Sequence, residues 1–416
     1  MSSPGESTPD NAGGMTRPRT TGPASRFDII DALRGTAVLG ILAVNVTFMA
    51  SPILFLPPEQ LETGGFGSVD SFFSGVVAWL LTGKMIALLA TLFGAGMGLI
   101  AARNLASGHL RRGLFVRRSL FLILLGLAHM ILLFPGDILF AYGLTGLFAI
   151  LFLRRSPKAL LWWAGSLATL GFLILAATSV AVQVVDPSEL AVSFDSELAS
   201  TTAAYDGRDY AGVIAANATM SAIAQTTGTV IGLTWILPLF LIGMAAAKAG
   251  IITNPSAHLA LLRRLAWIGI GVGLPVNLLL FSKGVIGASG LIPSDSGALI
   301  AVVDAGVTLF AVPLLSAGYA CALVLLWLRV RAPRPLVAVG RMALTAYLLQ
   351  SLLAFGFFFG FATYGQVGFA ASLLLVLAIW AVITAFCVLW LRRFSFGPME
   401  WLWRVVTYLR VPNSSA

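Results

Sequence analysis

His129 and Asp137 are residues of the kind that do acid–base chemistry, and both sit where hydrocarbon would be the default. They lie in residues 119–143, SLFLILLGLAHMILLFPGDILFAYG: an apolar span, a Pro-Gly hairpin and the start of a second span. A titratable group at membrane depth costs roughly 2.5 to 3.5 kcal/mol on insertion scales, so it marks either a buried partner or a working site. Imidazole has an unperturbed pKa suited to proton transfer near neutrality, which makes His129 a candidate general base. The plainer alternative is a satisfied core histidine bonded to a neighbouring helix. Asp137 at the outer mouth, with Tyr142 on the following helix, could hold a hydroxylated substrate. Asp137 is equally a helix cap favoured by the backbone dipole. The remaining histidines, His109 and His258, fall among arginines and polar residues in loops.

Further polar side chains interrupt the apolar sequence. Within RFDIIDALRGTAVLGILAVN, Asp31 and Arg34 share a helical face and can pair as a clamp, or Arg34 can present its charged fork to a phosphate-bearing cytosolic ligand. Asn45, deeper in the same span, either joins helices through its amide or positions a substrate carbonyl. In VGRMALTAYLLQS, Arg341 and Thr345 share one face, while Tyr347, Gln350 and Ser351 share another. Such a stripe faces protein or a water-filled cavity, not lipid. Glu400 and Arg404 are four apart and are expected to form a local salt bridge. The glycines of FGAGMG (94–98 and the preceding Phe93) read as helix packing. The chain has no Cys-x-x-Cys or His-x-x-x-His spacing for a metal, no Gly-rich Lys-Ser/Thr loop and no Gly-x-Ser-x-Gly elbow, so metal chemistry and nucleotide hydrolysis are not indicated.

These residues need a scaffold, and the composition names it. With 58% hydrophobic residues, 10% charged residues and a mean hydropathy of +0.93, the chain carries more apolar surface than one soluble core could hide. The expected fold is all-α, a polytopic membrane bundle of about ten transmembrane helices near 30–50, 83–102, 115–134, 137–153, 159–182, 228–248, 262–282, 299–328, 337–361 and 368–391. Placing both termini in the cytoplasm puts 23 of the 26 Lys and Arg on that side and leaves only Lys84, Arg208 and Lys283 outside. The net charge of +9 is therefore a topology signal toward anionic membrane lipids. No basic stripe with stacking aromatics argues for nucleic acid. Residues 1–25 read as a disordered cytoplasmic tail, followed by a single transmembrane domain over 26–410. Within it, 70–82 is expected as an outer interfacial or re-entrant helix, 183–227 as an acidic extracytoplasmic loop with short helices, and 396–410 as an interfacial helix carrying Trp401, Trp403 and Tyr408 with Arg404 and Arg410. Cys321 and Cys387 fall within spans and imply no disulfide framework.

DALRGTAVLGILAVN, GKMIALLATLFGAGMGL, GLAHMILLFPGDILFAYGL, GRMALTAYLLQS and FGPMEWLWR resemble, in that order, the motifs of the YeiB-like family, also known as domain of unknown function 418. The likeness runs from about Arg26 to Arg410. That family is grouped with the transmembrane acyltransferases. The resemblance therefore implies an enzyme of the bacterial cytoplasmic (inner) membrane that passes an acyl group from a cytosolic thioester to a hydroxyl or amine on the far side. Acyl-CoA would be the co-substrate, with no bound cofactor, and the acceptor a cell-envelope glycan, a lipid or a secreted small molecule. In this scheme Arg34 and Arg341 hold the donor's phosphates. The acyltransferase-3 proteins of that group carry an Arg and a His at the spacing that here joins Arg34 to Asn45. An amide orients a carbonyl but cannot take a proton, so a base must come from elsewhere, and His129 is the intramembrane histidine available. The other reading of the same polar stripe is a transporter or flippase for a lipid-linked or hydrophobic small molecule, with these residues lining a route.

Overall fold

The computed structural model describes residues 26–51, 68–182, 187–278 and 297–411. Among them the chain is helical throughout: α1 (Arg26–Ala50), α2 (Ser68–Leu80), α3 (Lys84–Ala106), α4 (Arg112–Leu132), α5 (Leu139–Ala149), α6 (Pro157–Val182), α7 (Pro187–Asp206), α8 (Tyr210–Lys248), α9 (Leu259–Gly271), α10 (Gly297–Gly306), α11 (Val312–Arg329), α12 (Arg334–Arg341), α13 (Ala343–Gly360), α14 (Phe369–Trp390) and α15 (Pro398–Tyr408). Eight stretches are long and apolar enough to cross a membrane, and two shorter apolar helices, Leu139–Phe152 and Gly232–Lys248, accompany them. This is an all-α, multi-pass membrane architecture. A bilayer interior leaves backbone polar groups no water to bond, and helices satisfy those groups internally.

Position in the bundle follows from which side chains can be withdrawn from lipid. In the most apolar window of α1, 67% of residues are buried, against 17% in that of α6. Accordingly α1 runs through the middle, packed on α3, α12, α13 and α14, while α6 leans on α8 at the rim. Leu124, Leu151, Trp162 and Leu374 point outward, as a lipid-facing surface requires. The FGAGMG segment packs as expected, with Gly94 against the backbone of Phe240 and Gly98 against that of Met244 on α8.

One expected element keeps its place and two take a different form. The helix anticipated at 70–82 is α2, joined through the tight turn at 81–83 to α3, so that Val69–Ala106 makes one apolar stretch. The anticipated span 137–153 is α5 and a short 3₁₀ turn, Ile150–Phe152. At 1.5 Å per residue that is about 21 Å, less than the roughly 30 Å of a hydrocarbon core. The region 183–227 contributes α7 and the first half of α8. Asp209 caps α8 by accepting from the Ala211 N–H, and the helix then continues unbroken through Pro238 to Lys248. Hydropathy alone placed the start of that helix too late, because its first turns are helical without being apolar. The tails 1–25 and 412–416, and Glu59, Glu62, Asp186, Lys283 and Asp295, lie outside the described residues.

Candidate functional site

The α4–α5 hairpin delivers the two central side chains by ordinary local rules. The His129 carbonyl accepts from both the Leu133 and Phe134 N–H groups and closes α4, after which Pro135 and Gly136 turn the chain. Asp137 then caps α5, its Oδ1 accepting from the Phe140 N–H at 2.8 Å. The two helices lie close because Gly126 and Gly143 carry no side chain. A methyl on Gly126 would run into Phe140 N and Asp137 Oδ1, and one on Gly143 would meet Ser119 and Ile123.

With one carboxylate oxygen spent on the cap, the other faces the imidazole. Asp137 Oδ2 lies 2.7 Å from His129 Nδ1, and the two side chains are 0% and 1% exposed. The ring is turned so that the contact falls short of hydrogen-bond alignment, and His129 Nε2 has no partner among the described residues. Tyr347 of α13 completes the group. Its hydroxyl donates to Asp137 Oδ2 at 3.3 Å and accepts from the Ile138 N–H at 3.4 Å, and its ring centroid is 5.1 Å from that of His129. A carboxylate beside Nδ1 and an Nε2 without a partner is the order in which an imidazole can take a proton from a reacting group while the carboxylate steadies the resulting cation.

Tyr142, expected beside Asp137, turns elsewhere: its hydroxyl donates to the Ile86 carbonyl at 2.7 Å and its ring packs edge-on against Phe93 and Phe240. It is a structural tie, because its helical position points it at α3. Above the hairpin, α7 and the start of α8 form a cover. The Tyr210 hydroxyl donates to Leu132 O at 3.0 Å and the Asn217 amide to Ile131 O at 3.3 Å. A cavity of about 30 Å³ remains between cover and hairpin, lined by residues including Phe134, Pro135, Thr201, Tyr205, Asn217 and Tyr364. That is room for water.

The opposite end of the bundle is basic. Arg34 pairs with Asp31 at 2.8 Å, and Arg341 donates to the Ser395 carbonyl at 3.1 Å. The expected Glu400–Arg404 bridge is replaced by two other contacts. Glu400 caps α13, taking the Leu344 and Thr345 N–H groups at 2.7 and 3.0 Å and the Thr345 hydroxyl at 2.6 Å, and Arg404 stacks over the Phe396 ring at 4.0 Å. Two unbonded N–H groups at a buried helix start draw a carboxylate more strongly than an exposed guanidinium does. Burial holds the Glu400 carboxyl above its ordinary value, against the pull of these hydrogen bonds. Arg118, which sequence reasoning used only for topology, lies 4.0 Å over the Trp403 ring, and Trp403 Nε1 donates to the Arg118 carbonyl at 3.3 Å. The signal was available: Arg118 stands inside a predicted span, with aromatic residues on the C-terminal helix.

The stripe on α13 is divided between two partners. Thr345 donates to Glu400, and Tyr347, two residues on, donates to Asp137, so the start of α13 touches both groups. Asn45 and Gln350 are buried without a hydrogen bond to the dyad among the described residues, Gln350 Nε2 being unpartnered, and Ser351 Oγ leans 3.5 Å from the Tyr347 carbonyl of its own helix.

A family described as "Protein of unknown function (DUF418)" matches residues 246–410, beginning after the hairpin. "Uncharacterized protein YxaH" of Bacillus subtilis (strain 168) is 31% identical over 402 residues, covering 92% of this chain and 94% of the relative. "Uncharacterized protein YeiB" of Escherichia coli (strain K12) is 29% identical over 395 residues, covering 91% and 95%. No solved structure matches the chain.

Proposed function

We propose that this chain, which belongs to the YeiB-like family of proteins of unknown function (DUF418), is a membrane acyltransferase that carries an acyl group from cytosolic acyl-CoA to an acceptor on the far side of the bacterial inner membrane. The observation that carries the reading is the buried His129–Asp137 pair, with His129 Nε2 unpartnered among the described residues. In this reaction an acceptor hydroxyl or amine attacks the thioester carbonyl. His129 Nε2 takes the acceptor's proton, the carbon–sulfur bond breaks, and the departing thiolate receives that proton to leave as free CoA. Asp137 steadies the imidazolium between these steps. Arg34 and Arg341 hold the donor's phosphates at the basic end, as guanidinium forks do. With both termini taken to lie inside, that end faces the cytosol, in keeping with the distribution of Lys and Arg. The acceptor's class, a cell-envelope glycan, lipid or secreted small molecule, follows from the side on which the hairpin would open.

Proteoliposomes loaded with envelope extract and supplied with labelled acetyl-CoA test the reading. Label transferred to a lumenal product supports it. Absence of transfer to any extract together with absence of acyl-CoA binding would remove it, and accumulation of an extract component without acyl-CoA would assign the polar stripe to transport.

A further inference from the structure

A second polar centre forms at the hairpin end of the bundle, around the elbow between α2 and α3. Lys84 opens α3 immediately after Gly83, whose φ of 76° makes the elbow possible, and the lysine side chain is fully buried. Among the described residues its Nζ makes one hydrogen bond, to the Ala78 carbonyl at 3.0 Å, which caps the end of α2. The ion pairs among the described residues, Arg34–Asp31 and His129–Asp137, do not involve it. Two further buried atoms near this elbow have no partner among the described residues: Trp235 Nε1 and Asn277 Oδ1. The indole edge that bears Nε1 comes close, with Trp235 Cζ2 3.8 Å from where a β-carbon on Gly83 would stand and Val312 Cγ1 2.9 Å from the same point. Beside Val312, the Ala311 carbonyl accepts from Asn277 Nδ2 at 3.0 Å, and the same amide donates to Gly273 O at 2.7 Å, which leaves its oxygen free. Ser316 Oγ donates to the Lys84 carbonyl at 2.8 Å and ties α11 to the elbow. Here the helical ladder slips into a π turn over Val307–Ala311, where the Val312 N–H bonds back to Val307 O and Pro313 cannot donate. Such turns recur at functional sites.

A buried ammonium without a counter-charge is costly, and each unpartnered buried polar atom calls for an explanation. The free N–H groups of Lys84 and the Trp235 N–H are donors of the kind an oxyanion takes, and Asn277 Oδ1 is an acceptor of the kind a ligand hydroxyl takes. We propose that the α2–α3 elbow binds a small oxyanion group, a carboxylate or a phosphate, supplied by an anionic lipid headgroup or by a free anion. The site is separate from the His129–Asp137 pair and does not depend on acyl transfer. Thermal unfolding of the full-length protein in neutral maltoside detergent tests it, with titration at constant ionic strength by sodium phosphate, sodium acetate, or short-chain phosphatidylglycerol against phosphatidylcholine. The expected result is a saturable rise in Tm with an anion that is lost in Lys84→Gln. Trp235→Phe, which removes one N–H and keeps the ring, weakens the apparent affinity roughly tenfold or more. A response to phosphate or acetate assigns a free anion, and a response to phosphatidylglycerol alone assigns a headgroup. No saturable response in the wild type, or an unchanged response in both variants, would overturn the site and leave these atoms to buried water. Should Lys84→Gln fail to fold, an undiminished response in Trp235→Phe overturns it alone.

Discussion

Asp137 divides its two oxygens between structure and the imidazole, which reconciles the cap and the site readings of this residue. Asp137→Asn keeps an oxygen for the Phe140 N–H and removes the charge beside His129. We expect it to fold with a stability change of about 1 kcal/mol, in the range of one neutral hydrogen bond, while label transfer in proteoliposomes falls by at least tenfold. Tyr347→Phe removes a hydroxyl that spans from Asp137 to Ile138. Its bonds are long, so differential unfolding should show a loss of about 1 kcal/mol or less. Glu400 supplies a pH test. Burial raises its folded value above the ordinary 4.5, so the stability it contributes is fully present below about 4.5 and is lost as pH rises through the raised value. On acidification from pH 7 toward 5 the wild-type Tm should therefore rise relative to Glu400→Gln. Parallel curves for the two would refute the assignment.

At the scale of elements, the hairpin was legible because its signals are local: an apolar run, Pro-Gly, a capping Asp, and glycines at helix-packing positions. The partnership of the hairpin with α13 was not. Tyr347 is about 210 residues from Asp137 in sequence, and nothing in the periodicity of the stripe assigns Thr345 to Glu400 and Tyr347 to Asp137. The Glu400–Arg404 spacing misled for a related reason, since the start of α13 competes for the carboxylate and lies more than fifty residues away. The close α4–α5 crossing yields its own prediction. Gly126→Ala places a methyl 2.6 Å from Asp137 Oδ1 and against Phe140 N, overpacking that should lower stability by about 1 to 3 kcal/mol and displace the carboxylate. Gly165→Ala on α6 meets open space and should be neutral or stabilising. Comparing the Tm of the two variants separates close packing from a general intolerance of alanine.

For the whole molecule, composition was enough for the multi-pass helical class and its apolar rim, because lipid imposes one rule on every span. It did not reveal that α8 rises past the bundle to cover the hairpin, since those turns are polar and read as a loop. Orientation is testable directly. A cysteine at Arg208, beside the cover, should react with an impermeant maleimide in intact cells, whereas one at Ser107 should react only after permeabilisation; the reverse pattern would invert the topology. The start of α13 touches Glu400 through Thr345 and Asp137 through Tyr347, and the account stands or falls on whether His129 takes the acceptor's proton. The decisive measurement is the rate of labelled acetyl transfer by His129→Gln against wild type in the same proteoliposomes, with matched folding and insertion. Glutamine keeps size and hydrogen bonding without the proton chemistry, so a general base predicts a loss of about two to four orders of magnitude. A well-folded His129→Gln protein that transfers acetyl at the wild-type rate would contradict the account.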